Sequence, residues 1–343
     1  MKAAVLVRKG AASQAFEFRE FPDPLPKEGE VLIDVELSGL NFADVMARLG
    51  LYPEAPPLPS ILGYEVVGTV EALGPGAPSS LKRGERVIGF TRFGGYATRV
   101  IAKANGVVPV PESIDSASAT ALATQYGTAY FAAEEMVKLQ KNDRVLIHAA
   151  AGGVGTALVQ LARRRGCVIF GTAGSAEKIA YLKSQGVDFP INYRESDFET
   201  EYLKLSGGKK VDVIFDAVGG ETFKKGMRIL SAGGRMVTYG VSEMTGSHKA
   251  SLLKSVKTVL SFGLHPPLSL LTRSQSILGV NMLKIADHRP DLLERAIRGV
   301  TELARLGEVK PVVGKVFEAS SIADAHEFLG SRASIGKVAI RWR

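Results

Sequence analysis

Residues 148–178 read HAAAGGVGTALVQLARRRGCVIFGTAGSAEK, and the order of residue types describes an anion-binding turn. An apolar run leads into a glycine-rich turn that opens a helical pattern. In that context backbone N–H groups and the positive end of a helix dipole receive a pyrophosphate. Ala150 stands at the first glycine position of a dinucleotide fingerprint, and Gly152 and Gly155 stand at the second and third, with Ala151, Gly153 and Val154 completing the turn. Gly152 lets backbone approach the phosphates, and Gly155 lets helix and strand pack closely. About twenty residues later such a site usually carries a carboxylate for the ribose hydroxyl. Here that place reads Gly171, Thr172, Ala173, with no acid. Ser175 and Lys178 follow directly, and Tyr193 with Arg194 ends the next apolar run. A hydroxyl, an ammonium and a phenol suit a dianionic 2′-phosphate better than an uncharged hydroxyl, so the expected cofactor is NADPH. Lys178 also has a plain reading as a solvated helix lysine.

The elements that must position this turn form a rhythm. VLIHAAA, CVIFGTA, DFPINY, DVIFDAV, RMVTYG and SILGVNM are six short apolar runs, most of them separated by helical patterns, which predicts βαβ units and a parallel sheet with helices on both faces. Ligands lie at the carboxyl edge of such a sheet, so Val218 and Gly219 in DAVGG, Tyr239 and Gly240 in VTYG, and Gly279, Val280 and Asn281 are candidate cofactor contacts. Residues 1 to about 120 read differently, as short strands punctuated by Gly and Pro: VLIDVELSG, EVVGTVEALG, ERVIGF and GGYATRVIA. MKAAVLVRKG at the start alternates like an edge strand. PDLLERAIRGVTELARLGEV predicts a long amphipathic helix and GKVAIRW a closing strand, so the tail is expected to rejoin the first domain. The expected organisation is α/β: residues 1–121 with 286–343 as a β-rich domain, and 122–285 as a doubly wound cofactor domain.

Bulk properties narrow the class. A chain of 343 residues, 45% hydrophobic and 23% charged, fits a two-domain globular protein. Its one cysteine, Cys167, permits no intrachain disulfide, and the N-terminus meets charge too early for a signal peptide, so a reducing, cytoplasmic setting is expected. No run approaches the roughly eighteen apolar residues of a membrane span. The net charge of +8 is scattered without aromatic interleaving, which argues against nucleic acid as the main partner. The histidines show no triad-like or HExxH spacing, and His148 reads as a core residue at the end of a buried strand.

With LNFADVMARLGLYP, LPSILGYEVVGTVEALG, the AAAGGVG turn and the final GKV strand, the chain resembles the medium-chain dehydrogenase/reductases nearly end to end. It is most similar to their zinc-independent quinone oxidoreductase branch, to which zeta-crystallin belongs, and within it to the synaptic vesicle amine transport protein homologues. The resemblance implies a GroES-like catalytic domain beside a Rossmann domain. It also implies that the catalytic zinc of the family's alcohol dehydrogenases has no ligands here: Asn41 takes the first cysteine's place, Tyr64 in GYE replaces a histidine, and Thr124 or its neighbour replaces the last ligand. By the same resemblance Asn41, Asp44 and Tyr52 line the cleft over the nicotinamide, Thr128 contacts nicotinamide or phosphate, and Arg332 in SRASIGK meets a cofactor phosphate. Each has a plain alternative. Asn41 suits a helix N-cap, Asp44 a helix first turn, Tyr52 a turn aromatic, and Arg332 an exposed surface position.

Without a Lewis acid an isolated ketone is a poor hydride acceptor, whereas a quinone or α,β-unsaturated carbonyl delocalises the developing charge. The expected activity is therefore NADPH-dependent reduction of a quinone or enone. A competing expectation is an NADPH-binding protein that engages lipid or another protein. It draws on residues 248–271, where Leu252, Leu253, Val256, Val259 and Leu260 share one helical face with Lys249, Lys254 and Lys257 elsewhere on the turn, followed by the apolar GLHPPLSLL. That segment equally predicts a lid favouring bulky hydrophobic substrates, or a subunit contact. The resemblance also implies a homodimer through the edge of the sixth strand, SILGVNM.

Overall fold

The computed structural model describes residues 1–242 and 262–343. They divide into two compact units, Met1–Thr128 with Met282–Arg343, and Ala129–Asn281. The basic amphipathic pattern at Leu252–Leu260 lies outside the described residues. Among the described residues no helix is long and apolar enough to cross a membrane.

In chain order the strands are β1 (Lys2–Leu6), β2 (Phe16–Glu20), β3 (Glu30–Leu40), β4 (Ser60–Ile61), β5 (Glu65–Leu73), β6 (Arg86–Phe90), β7 (Arg99–Lys103) and β8 (Val107–Pro109). Next come β9 (Arg144–Ile147), β10 (Val168–Ala173), β11 (Phe189–Asn192), β12 (Val211–Asp216), β13 (Leu230–Thr238) and β14 (Ser276–Gly279), and last β15 (Val313–Glu318) and β16 (Lys337–Arg341).

In the first unit β15, β16, β3, β5, β6 and β8 follow one another in a single sheet, with β7 also paired to β3, while β2, β1 and β4 form a smaller sheet. β3 is long enough to pair with β5, β7 and β16, and its Val31, Ile33 and Val35 pack with Val66, Val70 and Val87 in a dry core. The antiparallel pairing of β16 with β3 returns the end of the chain to the first unit. The N-terminal run departs from its expected place. β1 is the middle strand of its sheet and four of its five residues are buried, because both of its edges are covered by β2 and β4. The apparent alternation came from Lys2 alone.

In the second unit the six expected runs form one parallel sheet in the order β11-β10-β9-β12-β13-β14. Helices Gly153–Arg164, Ala176–Ser184, Phe198–Leu205 and Gly220–Ile229 make the crossovers. Val213, Ile214 and Phe215 are buried in succession, as expected for a strand covered on both faces. Strand order reverses beside β9, so the glycine turn after β9 and the DAVGG turn after β12 share the switch point of the sheet. This is a Rossmann arrangement.

Candidate active site

In the first unit, sheet register gathers a polar cluster that the sequence separates widely. Val338 faces Leu40 in the β16–β3 ladder, so the next step along both strands places Lys337 beside Asn41. Ser38 faces Val66 in the β3–β5 ladder, which brings Glu65 across Gly39. A Cβ on Gly39 would collide with the Glu65 side chain, its Cδ lying only 2.7 Å away, so glycine there makes room for the carboxylate. Glu65 and Lys337 form an ion pair with no solvent exposure of either side chain. Asn41 Nδ2 donates to Glu65 Oε1 at 2.8 Å, Lys337 Nζ donates to Asn41 Oδ1 at 3.0 Å, and the Thr124 N–H donates to Glu65 Oε2 at 2.7 Å.

Asp44 sits one helical turn beyond Asn41 in the helix Phe42–Leu49. Its Oδ2 accepts the Asn41 N–H at 2.9 Å, one half of a capping box, and its Oδ1 accepts the Gly63 N–H at 3.1 Å. Complete burial pushes its pKa up to about 7, against the pull of these two hydrogen bonds. The N-cap and first-turn readings of Asn41 and Asp44 are thus realised in the backbone, while the Asn41 amide is turned to Glu65 and Lys337. Tyr52 is half-buried, and its ring meets Tyr64 edge-on at 6.3 Å. Burial pushes the Tyr52 phenol up to about 12. The Tyr64 hydroxyl is buried without a hydrogen-bond partner among the described residues.

In the second unit the glycine turn has the shape its sequence implies. Ala149 takes a left-handed conformation at φ 51°, Ala150 N–H donates to Thr172 O at 3.0 Å, and Gly152 N–H donates to Ala149 O at 2.9 Å. Gly152 then caps the helix Gly153–Arg164, whose first N–H groups have no acceptor within the helix. A Cβ on Gly155 would strike Ala149 O and lie 2.7 Å from Ala150 Cα, both backbone atoms, so close packing of helix on turn requires glycine. His148 is buried, with Nδ1 3.1 Å from the Thr172 hydroxyl and Nε2 without a partner among the described residues. It is a core residue only half satisfied, and burial lowers its pKa to about 3. The Thr172 side chain is thereby engaged with His148.

Beyond β10 the corner is assembled by backbone pairing. Tyr193 N–H donates to Ala173 O at 3.1 Å, and the Tyr193 phenol lies over Gly174, where a Cβ would come within 2.6 Å of its Cζ. Ser175 caps the helix Ala176–Ser184 by accepting the Lys178 N–H at 3.3 Å, which leaves its own O–H to donate. Tyr193 is 46% exposed and Lys178 half-buried. Thr172, Ser175, Lys178 and Tyr193 therefore share one end of the sheet.

The DAVGG turn is organised by a residue that sequence reasoning passed over. The buried Asp216 carboxylate accepts the N–H groups of Val218 at 2.8 Å and Gly219 at 3.1 Å. Tyr239 N–H donates to Asp216 O at 3.0 Å, and Gly240 packs against Ala217, where a Cβ would lie 2.9 Å from its carbonyl. Gly279 ends β14 with open space beside it, Val280 N–H donates to Thr238 O at 2.9 Å, and Asn281 is exposed. Thr128 and Arg332 belong to the first unit. The Thr128 hydroxyl donates to Thr124 O at 2.6 Å, and Arg332 is exposed with φ 60°.

Of the places that the resemblance gives to zinc ligands, Asn41 and Thr124 meet at Glu65, through an amide and a backbone N–H instead of thiolates, while the Tyr64 phenol at the histidine's place packs against Tyr52 and Phe93. The Lys337 ammonium already neutralises the Glu65 carboxylate. This donor set does not fit zinc, and no group of three His, Cys, Asp or Glu able to hold a metal occurs among the described residues.

Comparison with known proteins agrees with this architecture. Residues 27–112 match the alcohol dehydrogenase GroES-like domain family, and residues 153–297 match the zinc-binding dehydrogenase family. The chain is 36% identical over 317 residues to the synaptic vesicle membrane protein VAT-1 homolog of Danio rerio, covering 92% of this chain but only 64% of that longer protein. It is 31% identical over 305 residues to human quinone oxidoreductase, covering 89% of this chain and 86% of that one. The solved structure of Escherichia coli quinone oxidoreductase complexed with NADPH superposes with a TM-score of 0.85 at 28% identity, covering 99% of this chain and 100% of that one.

Proposed function

Because the chain belongs to the quinone oxidoreductase group of the medium-chain dehydrogenase/reductases, we propose that it is an NADPH-dependent oxidoreductase acting on a quinone or an α,β-unsaturated carbonyl. The observation that carries this reading is the cluster at Asn41, which offers hydrogen-bond donors where a metal-dependent relative would need soft ligands. When bound, NADPH supplies a hydride from C4 of its nicotinamide.

The residues of this chain account for the rest. Gly152, Gly153, Val154 and Gly155 with Ala151 cradle the pyrophosphate, Gly155 being the position where the fold tolerates no Cβ. Ser175, Lys178 and Tyr193 receive the 2′-phosphate in the corner after β10, where the strand end itself carries no acid. Thr128, Thr172, Val218, Tyr239, Gly240, Gly279, Val280, Asn281 and Arg332 complete the proposed cofactor contacts. An Asn41 N–H stabilises the oxygen on which charge develops. Tyr52, a phenol protonated at neutral pH, relays a proton from water. Asp44 has both oxygens on backbone N–H groups and acts as a positioning residue for Asn41 and Gly63.

Leu264, Leu268 and Leu271 are 96%, 69% and 76% exposed, an apolar surface that suits bulky apolar molecules. The same leucines, with the similarity to a vesicle membrane protein, favour a second reading as an NADPH-binding protein that docks on lipid or another protein. A panel of ortho-quinones, para-quinones and enones with NADPH separates the two. Turnover that falls in Asn41→Ala supports the enzyme, while cofactor binding without turnover, together with flotation on vesicles, supports the second reading. We also propose a homodimer formed through β14, which lies at the sheet edge. A monomeric mass in light scattering at micromolar protein would exclude it.

A further inference from the structure

Resting on the reading of Asn41 as the active-site donor, we propose that Lys337 and Glu65 are positioning residues that lock the Asn41 carboxamide, leaving one N–H of Nδ2 as a fixed donor to the acceptor oxygen. An asparagine amide has two nearly isosteric ends, and nothing in its own shape decides which faces where. Here chemistry decides. An ammonium only donates and an ionised carboxylate only accepts, so Oδ1 must face Lys337 Nζ at 3.0 Å and Nδ2 must face Glu65 Oε1 at 2.8 Å. A half-turn of the amide would set N–H against ammonium and oxygen against carboxylate, two repulsions in a site sealed from bulk solvent. Glu65 is itself fixed by the Thr124 N–H at 2.7 Å and by the gap at Gly39. Three strands therefore converge to set one torsion.

The arrangement is costly if it serves folding alone. Both charges are wholly buried, and a well-packed neutral pair is commonly as stable as a buried ion pair. What a neutral pair cannot do is distinguish the two ends of the amide. The locked orientation commits one Nδ2 proton to Glu65 and leaves the other uncommitted among the described residues, pre-aimed before any acceptor arrives.

The test compares Asn41→Ala, the neutral double variant Glu65→Gln with Lys337→Met, and the triple variant, each checked for a cooperative melt. The double variant is chosen because Lys337→Met alone strands a buried carboxylate. Asn41→Ala should lower kcat on the order of a hundredfold. The double variant should lose a comparable factor in kcat with the KM for NADPH unchanged, and the triple variant should be no slower than Asn41→Ala. A folded double variant with wild-type kcat, or losses that multiply in the triple variant, would overturn the proposal. A readout independent of turnover comes from selective ¹⁵N labelling of the five asparagines, Asn41, Asn105, Asn142, Asn192 and Asn281. The two Asn41 amide protons, one on a carboxylate and one not, should be widely split, and the split should collapse in the double variant. An unchanged Asn41 signal would overturn the lock itself. Full turnover in Asn41→Ala would instead overturn the donor role beneath it.

Discussion

The cluster around Asn41 and the corner after β10 solve opposite problems. In the first unit Glu65, Lys337 and Asn41 are buried and mutually hydrogen-bonded, so the Glu65 and Lys337 charges are balanced within the protein, and the buried Asp44 rests on backbone N–H groups. In the second unit Ser175, Lys178 and Tyr193 stand partly in solvent at one end of the sheet. One cluster is closed and internally hydrogen-bonded while the other is open to solvent, so substitutions should disturb folding in the first and cofactor binding in the second.

The largest effect should come from unbalancing the closed site. Lys337→Ala leaves Glu65 charged, buried and unpaired, and should cost about 3–5 kcal/mol in urea unfolding. A cost under about 1 kcal/mol would mean that water reaches the pair.

Next come the pH slopes, which have opposite signs in the two units. Asp44 has its pKa raised to about 7 from an ordinary value of 3.8, so the stability it contributes is complete below pH 3.8 and is lost as pH rises through 7. His148 is depressed from 6.5 to about 3, so its contribution is complete above pH 6.5 and is lost as pH falls toward 3. Asp44→Asn should therefore gain on wild type as pH rises from 4 to 7, and His148→Phe should gain as pH falls below 6.5, each by a few kcal/mol at most. Parallel slopes in variants and wild type, followed by chemical unfolding across pH, would contradict these assignments.

Gly155→Ala places a methyl against backbone at Ala149 and Ala150 and should cost about 1–3 kcal/mol, with weaker NADPH binding in fluorescence titration. The smallest effect belongs to the open corner. Lys178→Ala should weaken NADPH by about 0.5–1 kcal/mol and leave NADH nearly unchanged. Equal losses for the two cofactors would place the phosphate elsewhere.

What the sequence disclosed follows from the range of each interaction. The glycine turn, the six buried strands and the missing acid lie within short stretches, and each was legible because strand, turn and helix signals are local. Asn41 was legible through its helix and its family resemblance. Glu65 and Lys337 were not, although GYE and GKV were both in view, because they are 272 residues apart and a charge in sequence is by default a surface charge. The available signal was a charged residue at the start of two otherwise apolar strands. Asp216 was missed for a different reason: its partners Val218 and Gly219 are close by in sequence but present only backbone. The edge reading of MKAAVLVRKG failed because five residues at a chain start carry too little pattern to tell an edge from a covered strand.

The central claim is that hydride passes from the nicotinamide to a conjugated carbonyl with a locked amide in the place of a metal. The most direct measurement is mass spectrometry of the product formed from an enone and C4-deuterated NADPH by chelator-treated protein. The account predicts deuterium on carbon in the reduced enone at an undiminished rate. Transfer that ceases when metal is stripped, or NADPH that stays bound and unoxidised with every acceptor, would contradict it.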